Sequence, residues 1–180
     1  MAAAFFSLAP VRAESLVRAD SRRREYSEEI AKSINSYLID DDWVYSFDEK
    51  LGLFVFTLNG FDSVFSKLEY QVLVGEDHYI VRACFPLNAS YDNQRKIGKI
   101  AEMVCRMNYG LKNGSFDLDF SDGEISYRVY VDCDRLPLSN SRIADSILLP
   151  SLRFEQYGDA ILSVLSGIAS PEEAVAAAEE

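Results

Sequence analysis

The feature that most constrains this chain is a repeated two-residue alternation of apolar and polar side chains. Residues 67–74 and 78–85 each place an apolar side chain at every second position, with Gly-Glu-Asp between the two runs. Residues 116–120 and 125–131 show the same alternation around Asp122-Gly123, a pair favoured in tight two-residue turns. Because such alternation is typical of strands with one buried face, we expect an antiparallel sheet.

Two further strands are predicted upstream, over residues 43–47 and 51–58. The second is apolar on both faces, which is typical of a strand that is covered on both sides or that serves as a docking surface. Five aromatic side chains fall within 14 residues of these segments: Trp43, Tyr45, Phe47, Phe54 and Phe56. Two interpretations are open for this group, namely an ordinary core and a candidate protein-binding surface.

Helical spacing of apolar residues is found on both sides of the strands. It predicts helices over residues 26–39 and 91–109, the second capped by Ser90. A third helical region contains Pro150, which is expected to break or kink it. Ser170-Pro-Glu-Glu is a capping box with proline at the first helical position, and it predicts a short last helix. The expected order is α-β-β-β-β-α-β-β-α-α, an α+β fold with five to six antiparallel strands and packed helices.

Charge is divided unevenly along the chain. The net charge is −11: residues 1–25 carry five arginines against three acidic side chains (+2), and the remainder carries 13 basic against 26 acidic side chains (−13). Nucleic-acid binding depends on lysines and arginines that neutralise phosphates. The acidic body therefore argues against a DNA or RNA partner.

We predict a flexible N-terminal arm over residues 1–24 and a single α+β domain over residues 25–180. The apolar start lacks the preceding positive charge of a secretory signal, so an arm is favoured over a targeting segment. The arginines at 22–24 are interpreted as solvated, as paired with the acidic body, or as directed at an acidic partner or anionic lipid. We expect the arm to be dispensable for folding, the protein to be cytoplasmic, and no segment to span a membrane.

The sequence contains no motif of a familiar catalytic class: neither a nucleophile elbow, nor a zinc-binding H-E-x-x-H, nor a glycine-rich phosphate loop. The one histidine, His78, lies at a predicted turn-to-strand junction and is interpreted as an exposed or locally bonded strand residue. The three cysteines, Cys84, Cys105 and Cys133, are expected to be buried reduced thiols.

The acidic run at residues 117–124 has the composition of a calcium loop. Gly123 falls one position later than a calcium loop requires, and Arg128 stands where the bidentate glutamate belongs. A hairpin explains every residue of the run. We therefore predict no catalytic residue, no metal site and no cofactor for this chain.

Two groups of motifs carry a family resemblance. The first group consists of Met107-Asn108 and residues 113–119 and 123–128. The second group consists of residues 157–167 and 170–174. Over about residues 25–178 the chain resembles the YbjN family of bacterial proteins, whose fold is similar to that of type III secretion chaperones. These motifs are structural rather than catalytic.

The resemblance implies a compact, often dimeric α+β domain of a family described as regulators of sensory transduction, with no established enzyme activity. We accordingly expect a non-enzymatic protein-interaction or regulatory domain that forms a homodimer and binds a protein partner. One alternative is a secretion-type chaperone that holds an extended segment of another protein. A second alternative is a small ligand-binding protein, or an enzyme that uses carboxylates.

Overall fold

Ten elements follow one another in the computed structural model, which describes residues 25–60, 66–89, 93–134 and 138–180. Predictions for residues 1–24, including the arginines at 22–24, lie outside the described residues. The helices are α1 (Glu28–Asp40), α2 (Gln94–Tyr109), α3 (Asn140–Ser166) and α4 (Pro171–Ala178). The strands are β1 (Tyr45–Asp48), β2 (Leu53–Asn59), β3 (Lys67–Val74), β4 (His78–Cys84), β5 (Ser115–Leu118) and β6 (Ile125–Asp132). This order confirms the α+β class and the predicted succession of helices and strands.

The six strands found in the described ranges form one antiparallel sheet in the order β1-β2-β3-β4-β6-β5. The register aligns Phe54, Val72, Val81 and Val129 across the four inner strands. The two edges of the sheet are the four-residue strands β1 and β5. An edge strand of four residues offers a short row of backbone groups with which an extended segment can pair.

The helices pack on one face of this sheet. The Tyr45 hydroxyl of β1 donates to the amide oxygen of Asn35 in α1, and the hydroxyls of Tyr79 in β4 and Ser146 in α3 share a hydrogen bond of 2.9 Å. α2 contacts β5, and α4 packs on α2 and α3. The side chains predicted to point inward from β3 and β4 are buried in the resulting core.

Two helix predictions need correction. α2 begins at Gln94, and its N-cap is Asn93, whose side chain accepts a hydrogen bond from the Lys96 backbone N–H; the predicted start at residue 91 was wrong. α3 runs without interruption through Pro150. Ile147 and Phe154, one on each side of the proline, are fully buried, and this packing holds the helical path although one backbone donor is missing.

The connection between β5 and β6 is longer than the predicted two-residue turn. Gly123 has the expected positive φ of 75°. The Asp119 N–H donates to the Glu124 carbonyl, however, and the Gly123 N–H donates to the Asp119 carbonyl, so residues 120–123 form a four-residue loop. The carbonyl of Gly123 also accepts from the Ala89 N–H at 2.8 Å, which joins this loop to the segment after β4.

Candidate functional site

The five aromatic residues singled out in the sequence lie together at the β1 edge of the sheet. Phe54 and Phe56 on β2 are buried in the core. Trp43, Tyr45 and Phe47, which lie just before and on β1, are half-buried and pack against that core. The part of this group that a partner can reach is therefore formed by Trp43, Tyr45 and Phe47, and its role in binding remains a prediction.

Ring contacts join the edge of the sheet to its interior. Phe47 stacks on Phe54 with 4.2 Å between ring centroids, and Trp43 meets Phe56 edge-to-face at 5.0 Å. Phe56 in turn stacks on Tyr70 of β3 at 5.1 Å. Aromatic pairs of this kind contribute about 0.5–1.5 kcal/mol each beyond the area that they bury. The half-buried rings are thus held in fixed positions by the core beneath them.

A groove of about 330 Å³ opens between α1 and β1. Its floor is apolar and is formed by Tyr26, Ala31, Phe47 and Phe54; its rim is polar and is formed by Glu28, Lys32, Asn35 and Glu49. An apolar centre inside a polar rim is the usual anatomy of a protein–protein interface. β1, which borders the groove, pairs with only β2 among the described strands, and an edge strand of this kind is able to pair with an extended segment.

The opposite face of the sheet contains a buried polar cluster that the sequence did not reveal. The Arg82 guanidinium on β4 lies 2.6 Å from the carboxylate of Glu124, and its Nε donates to the Ser126 hydroxyl at 2.9 Å. All three residues are buried. Strand alternation predicted that Ser126 would point to solvent, and its complete burial corrects that expectation.

The pKa values in this cluster follow from burial. Burial raises the pKa of Glu124 above the usual range of a carboxyl group, and the charge of Arg82 acts in the opposite direction. Burial, reinforced by the nearby charge of Glu124, raises the pKa of the Cys84 thiol to about 12. Cys84 is therefore protonated at neutral pH, and a thiol in that state is a poor nucleophile.

A second cavity of about 220 Å³ lies beside this cluster. Its wall combines both signs of charge with a thiol and two amides, and is formed by Lys67, Glu69, Gln71, Cys84, Phe85, Pro86, Asn88 and Glu124. Its charged groups are the carboxylates of Glu69 and Glu124 and the ammonium group of Lys67. The cavity thus offers both hydrogen-bond donors and acceptors to a small polar molecule.

Nothing in the sequence marked Arg82 or Glu124 as buried. Arg82 occupies a position of β4 that alternation assigns to solvent, and Glu124 lies in a loop rich in polar residues. Their pairing depends on the register of β4 against β6, which no local pattern encodes. The only available signal was an arginine in the middle of an otherwise apolar strand.

The histidine and the three cysteines that the sequence analysis considered lie outside the groove between α1 and β1. His78 lies 2.8 Å from the Asp77 carboxylate and stacks on Tyr130, as expected for a locally bonded strand residue; this contact lowers the pKa of Asp77. Cys84 is buried as predicted, whereas Cys133 is only half-buried, contrary to the prediction. Cys105 is exposed, so its predicted burial was wrong: Met103 and Met107 occupy the buried stripe of α2 instead.

The acidic run before β6 is used in local hydrogen bonds. Asp117 pairs with Arg128 at 2.7 Å, and Asp119 accepts hydrogen bonds from the backbone and hydroxyl of Ser121. Within the ranges that the structure describes, no three histidine, cysteine or acidic side chains are grouped so as to hold a metal ion. No helix in those ranges has the length and apolar character that a membrane crossing needs.

Comparison with known protein families, with curated proteins and with solved structures finds no match in any of the three.

Proposed function

We propose that this protein is a non-enzymatic, cytoplasmic protein-interaction domain that binds a polypeptide partner at the α1–β1 edge of its sheet. The observation that carries the proposal is the groove in which half-buried Phe47 and buried Phe54 form an apolar floor beside an edge strand. Rigid aromatic residues set within a polar rim are the groups that contribute most to binding energy at interfaces.

The resemblance to the YbjN family supports the same class of function. A regulatory domain would use the groove to contact one folded partner. A secretion-type chaperone would instead hold an extended segment against β1, whose backbone edge is suited to strand addition. The regulatory domain and the chaperone would bind different partners, but both would use the same surface of this chain.

A second candidate function is binding of a small polar ligand in the 220 Å³ cavity. It is favoured by the presence there of Lys67, Glu69 and Glu124, which together offer donors and acceptors to a molecule carrying both charges. Free amino acids are the simplest probes of that description. A rise in the unfolding temperature with one of them, absent in Glu69→Gln, would favour this candidate over the protein-binding one.

Quantitative capture from a cell extract tests the main proposal, with the wild-type chain and two serine variants as bait. Phe47→Ser removes one of the two phenylalanine rings in the floor of the groove. Phe120→Ser removes a 63% exposed ring on the β5–β6 loop, at the other end of the sheet. We expect the wild type and Phe120→Ser to retain the same protein, and Phe47→Ser to lose it while keeping the wild-type circular dichroism spectrum. Equal capture by all three chains would contradict the proposal.

A further inference from the structure

A groove of about 400 Å³ runs between β6 and α3, on the side of the sheet where β5 forms the edge. Its walls are residues 128–131 of β6 and four residues in the first half of α3, and residues 112–115 lie across one end. This groove is separate from the one between α1 and β1, because β1 and β5 are opposite edges of the sheet.

β6 extends beyond the end of β5. The pairing of the two strands runs from Ser115, opposite Arg128, to Leu118. β6 continues to Asp132, and no described strand continues the pairing along residues 129–132 on that side. A stretch of strand without a neighbour is able to pair with an extended segment of another chain.

The backbone of Tyr130 points to this open side. The carbonyl of Ile125 accepts from the Phe85 N–H, and the N–H of Cys133 donates to the Asp77 carbonyl, both at 2.8 Å and both on the β4 side. The residues of a strand direct their N–H and C=O groups alternately to its two sides, so the odd-numbered residues of β6 bond toward β4. The N–H and C=O of Tyr130 are therefore the groups to which an added strand would bond.

The loop before β5 closes one end of the groove. Gly114 has a positive φ of 75°, and an added Cβ there would lie 2.7 Å from the Arg128 carbonyl oxygen. The Tyr127 hydroxyl donates to the carbonyl of Asn113. These contacts hold the loop against β6. A segment that pairs with residues 129–132 cannot continue along the path that β5 already occupies, so it has to end or turn away at the loop.

The lining of the groove is rich in positive charge although the chain has a net charge of −11. It contains Lys112, Arg128 and Arg142 against a single carboxylate, that of Asp145. Arg128 is already paired with Asp117. Lys112 is exposed at the closed end and forms no ion pair with a described residue. The closed end therefore attracts an anionic group.

We propose that this groove binds the free C-terminal end of another polypeptide as a short strand antiparallel to β6. A segment that ends at the loop and runs in the direction of β5 brings its terminal carboxylate to Lys112. The reverse orientation would bring an N-terminal ammonium group to the same lysine, and like charges repel. Four residues of strand span about 13 Å, so the groove takes only the last few residues of the partner. This inference is independent of the proposed function, which concerns the opposite edge of the sheet.

Peptide binding to the full-length protein tests the proposal. The probe is a random hexapeptide library attached to beads through the N-termini, prepared once with free C-terminal carboxylates and once with C-terminal amides. We expect the fluorescently labelled protein to select peptides from the free-acid library only. The affinity of each selected peptide, measured in solution by fluorescence polarisation, should fall at least tenfold when its terminal carboxylate is converted to an amide.

Two variants and a matched control locate the binding. Lys112→Glu should weaken binding of the selected peptides at least tenfold, and Asp145→Asn should strengthen it. Lys96→Glu makes the same charge change at an exposed residue near the start of α2 and should leave the affinity within twofold of the wild type. In the complex, the Tyr130 amide should gain protection from hydrogen exchange, because it would donate to the added strand.

Three results would overturn the proposal: no peptide selected from either library, equal binding of acids and amides, and unchanged affinity in Lys112→Glu. Exchange protection on β1 instead of at Tyr130 would place the peptides in the groove between α1 and β1. That result would also overturn this inference, but it would support the proposed function, so the two proposals are tested separately.

Discussion

At the scale of single residues, the Arg82–Glu124 pair has the strongest consequences. Each side chain is about nine-tenths buried, and the pair is joined at 2.6 Å. Removal of two charges from water costs several kcal/mol per ion, and a close partner only offsets that cost. Either partner left alone on this face is therefore strongly destabilising.

The first prediction concerns loss of the arginine. We expect Arg82→Met to lower the free energy of unfolding by about 3–5 kcal/mol at neutral pH, because it leaves an unpaired buried carboxylate. This loss in the free energy of unfolding depends on pH. Burial already holds the pKa of folded Glu124 above its unfolded value, and loss of Arg82 raises that pKa further. Folding then favours the protonated carboxyl, so the penalty grows as pH rises and shrinks as pH falls towards about 4.

Urea titrations at pH 7 and near pH 4 measure this effect. In a Glu124→Gln background, Arg82→Met should lower the free energy of unfolding by the same amount at both pH values, because the carboxyl group paired with Arg82 has been removed. Arg128→Met removes a more exposed arginine paired with Asp117 and should cost less than about 1 kcal/mol. If Arg82→Met instead lost more free energy of unfolding at acid pH than at neutral pH, Glu124 would not be the group that causes the pH dependence.

The second prediction separates two reasons for a glycine at position 123. Its φ of +75° strains any other residue, and an added Cβ would lie 1.8 Å from the Ala89 carbonyl oxygen. Gly167 has a similar φ of +76° with open space around it. We expect Gly167→Ala to cost about 1 kcal/mol from the backbone alone. Gly123→Ala should cost about 2–4 kcal/mol, because the Ala89 contact is also lost. Equal unfolding temperatures for the two variants would contradict this account.

At the scale of elements, alternation and helical spacing were sufficient to predict the order of all ten. Boundaries were predicted less well, because they depend on contacts with distant segments. Asn93 rather than Ser90 caps α2, and both residue types are good caps. Pro150 does not end α3, because the turns on both sides of it are held by the core. In each case tertiary packing selected among local options that the sequence left open.

The third prediction concerns how α2 is fixed to the edge strand β5. The Asn108 side chain accepts from the Phe116 N–H and donates to the Phe116 carbonyl, both at 2.8 Å. Asn108→Ala removes both hydrogen bonds and should lower the free energy of unfolding by about 1–3 kcal/mol. Hydrogen exchange should show lost protection at the Phe116 amide, with β2 and β3 unchanged.

Asn93→Ala is the matched control at the other end of α2. It removes one capping bond, so we expect a cost of about 1 kcal/mol. Protection of the Phe116 amide should be retained in this variant. Retained protection in Asn108→Ala as well would show that the backbone pairing of β5 with β6 is sufficient to hold the edge strand.

At the scale of the whole molecule, the candidate site was only partly predictable. The aromatic group could be found from its density in the sequence, but which rings are covered depends on α1, whose position no local pattern gives. Phe54 and Phe56 face that helix layer, while Phe47 is at the edge. The buried cluster around Arg82 was not predictable, because it depends on the register of β4 against β6.

The fourth prediction is that the protein forms a homodimer. Apolar side chains remain open on the described surface, including Val44 beside the aromatic edge and Leu148 and Leu152 on α3. Two subunits of charge −11 repel each other at long range, so short-range apolar contact must hold them together. Light scattering should give twice the 20.3 kDa chain mass, with no dissociation on addition of salt. A monomeric mass at concentrations on the order of tens of micromolar would contradict the dimer.

The central claim is that polypeptides bind at the edge of the sheet around Trp43, and the fluorescence of that residue tests it most directly. Trp43 is the only tryptophan of the chain, and it lies half-buried at this edge, 5.0 Å from the Phe56 ring. Titration with the captured partner, excited at the tryptophan band and corrected for the partner's own emission, should shift the Trp43 emission to shorter wavelength. The same shift is expected in Phe120→Ser and not in Phe47→Ser. Unchanged Trp43 emission in a fully formed complex would show that the partner binds elsewhere and would contradict the claim.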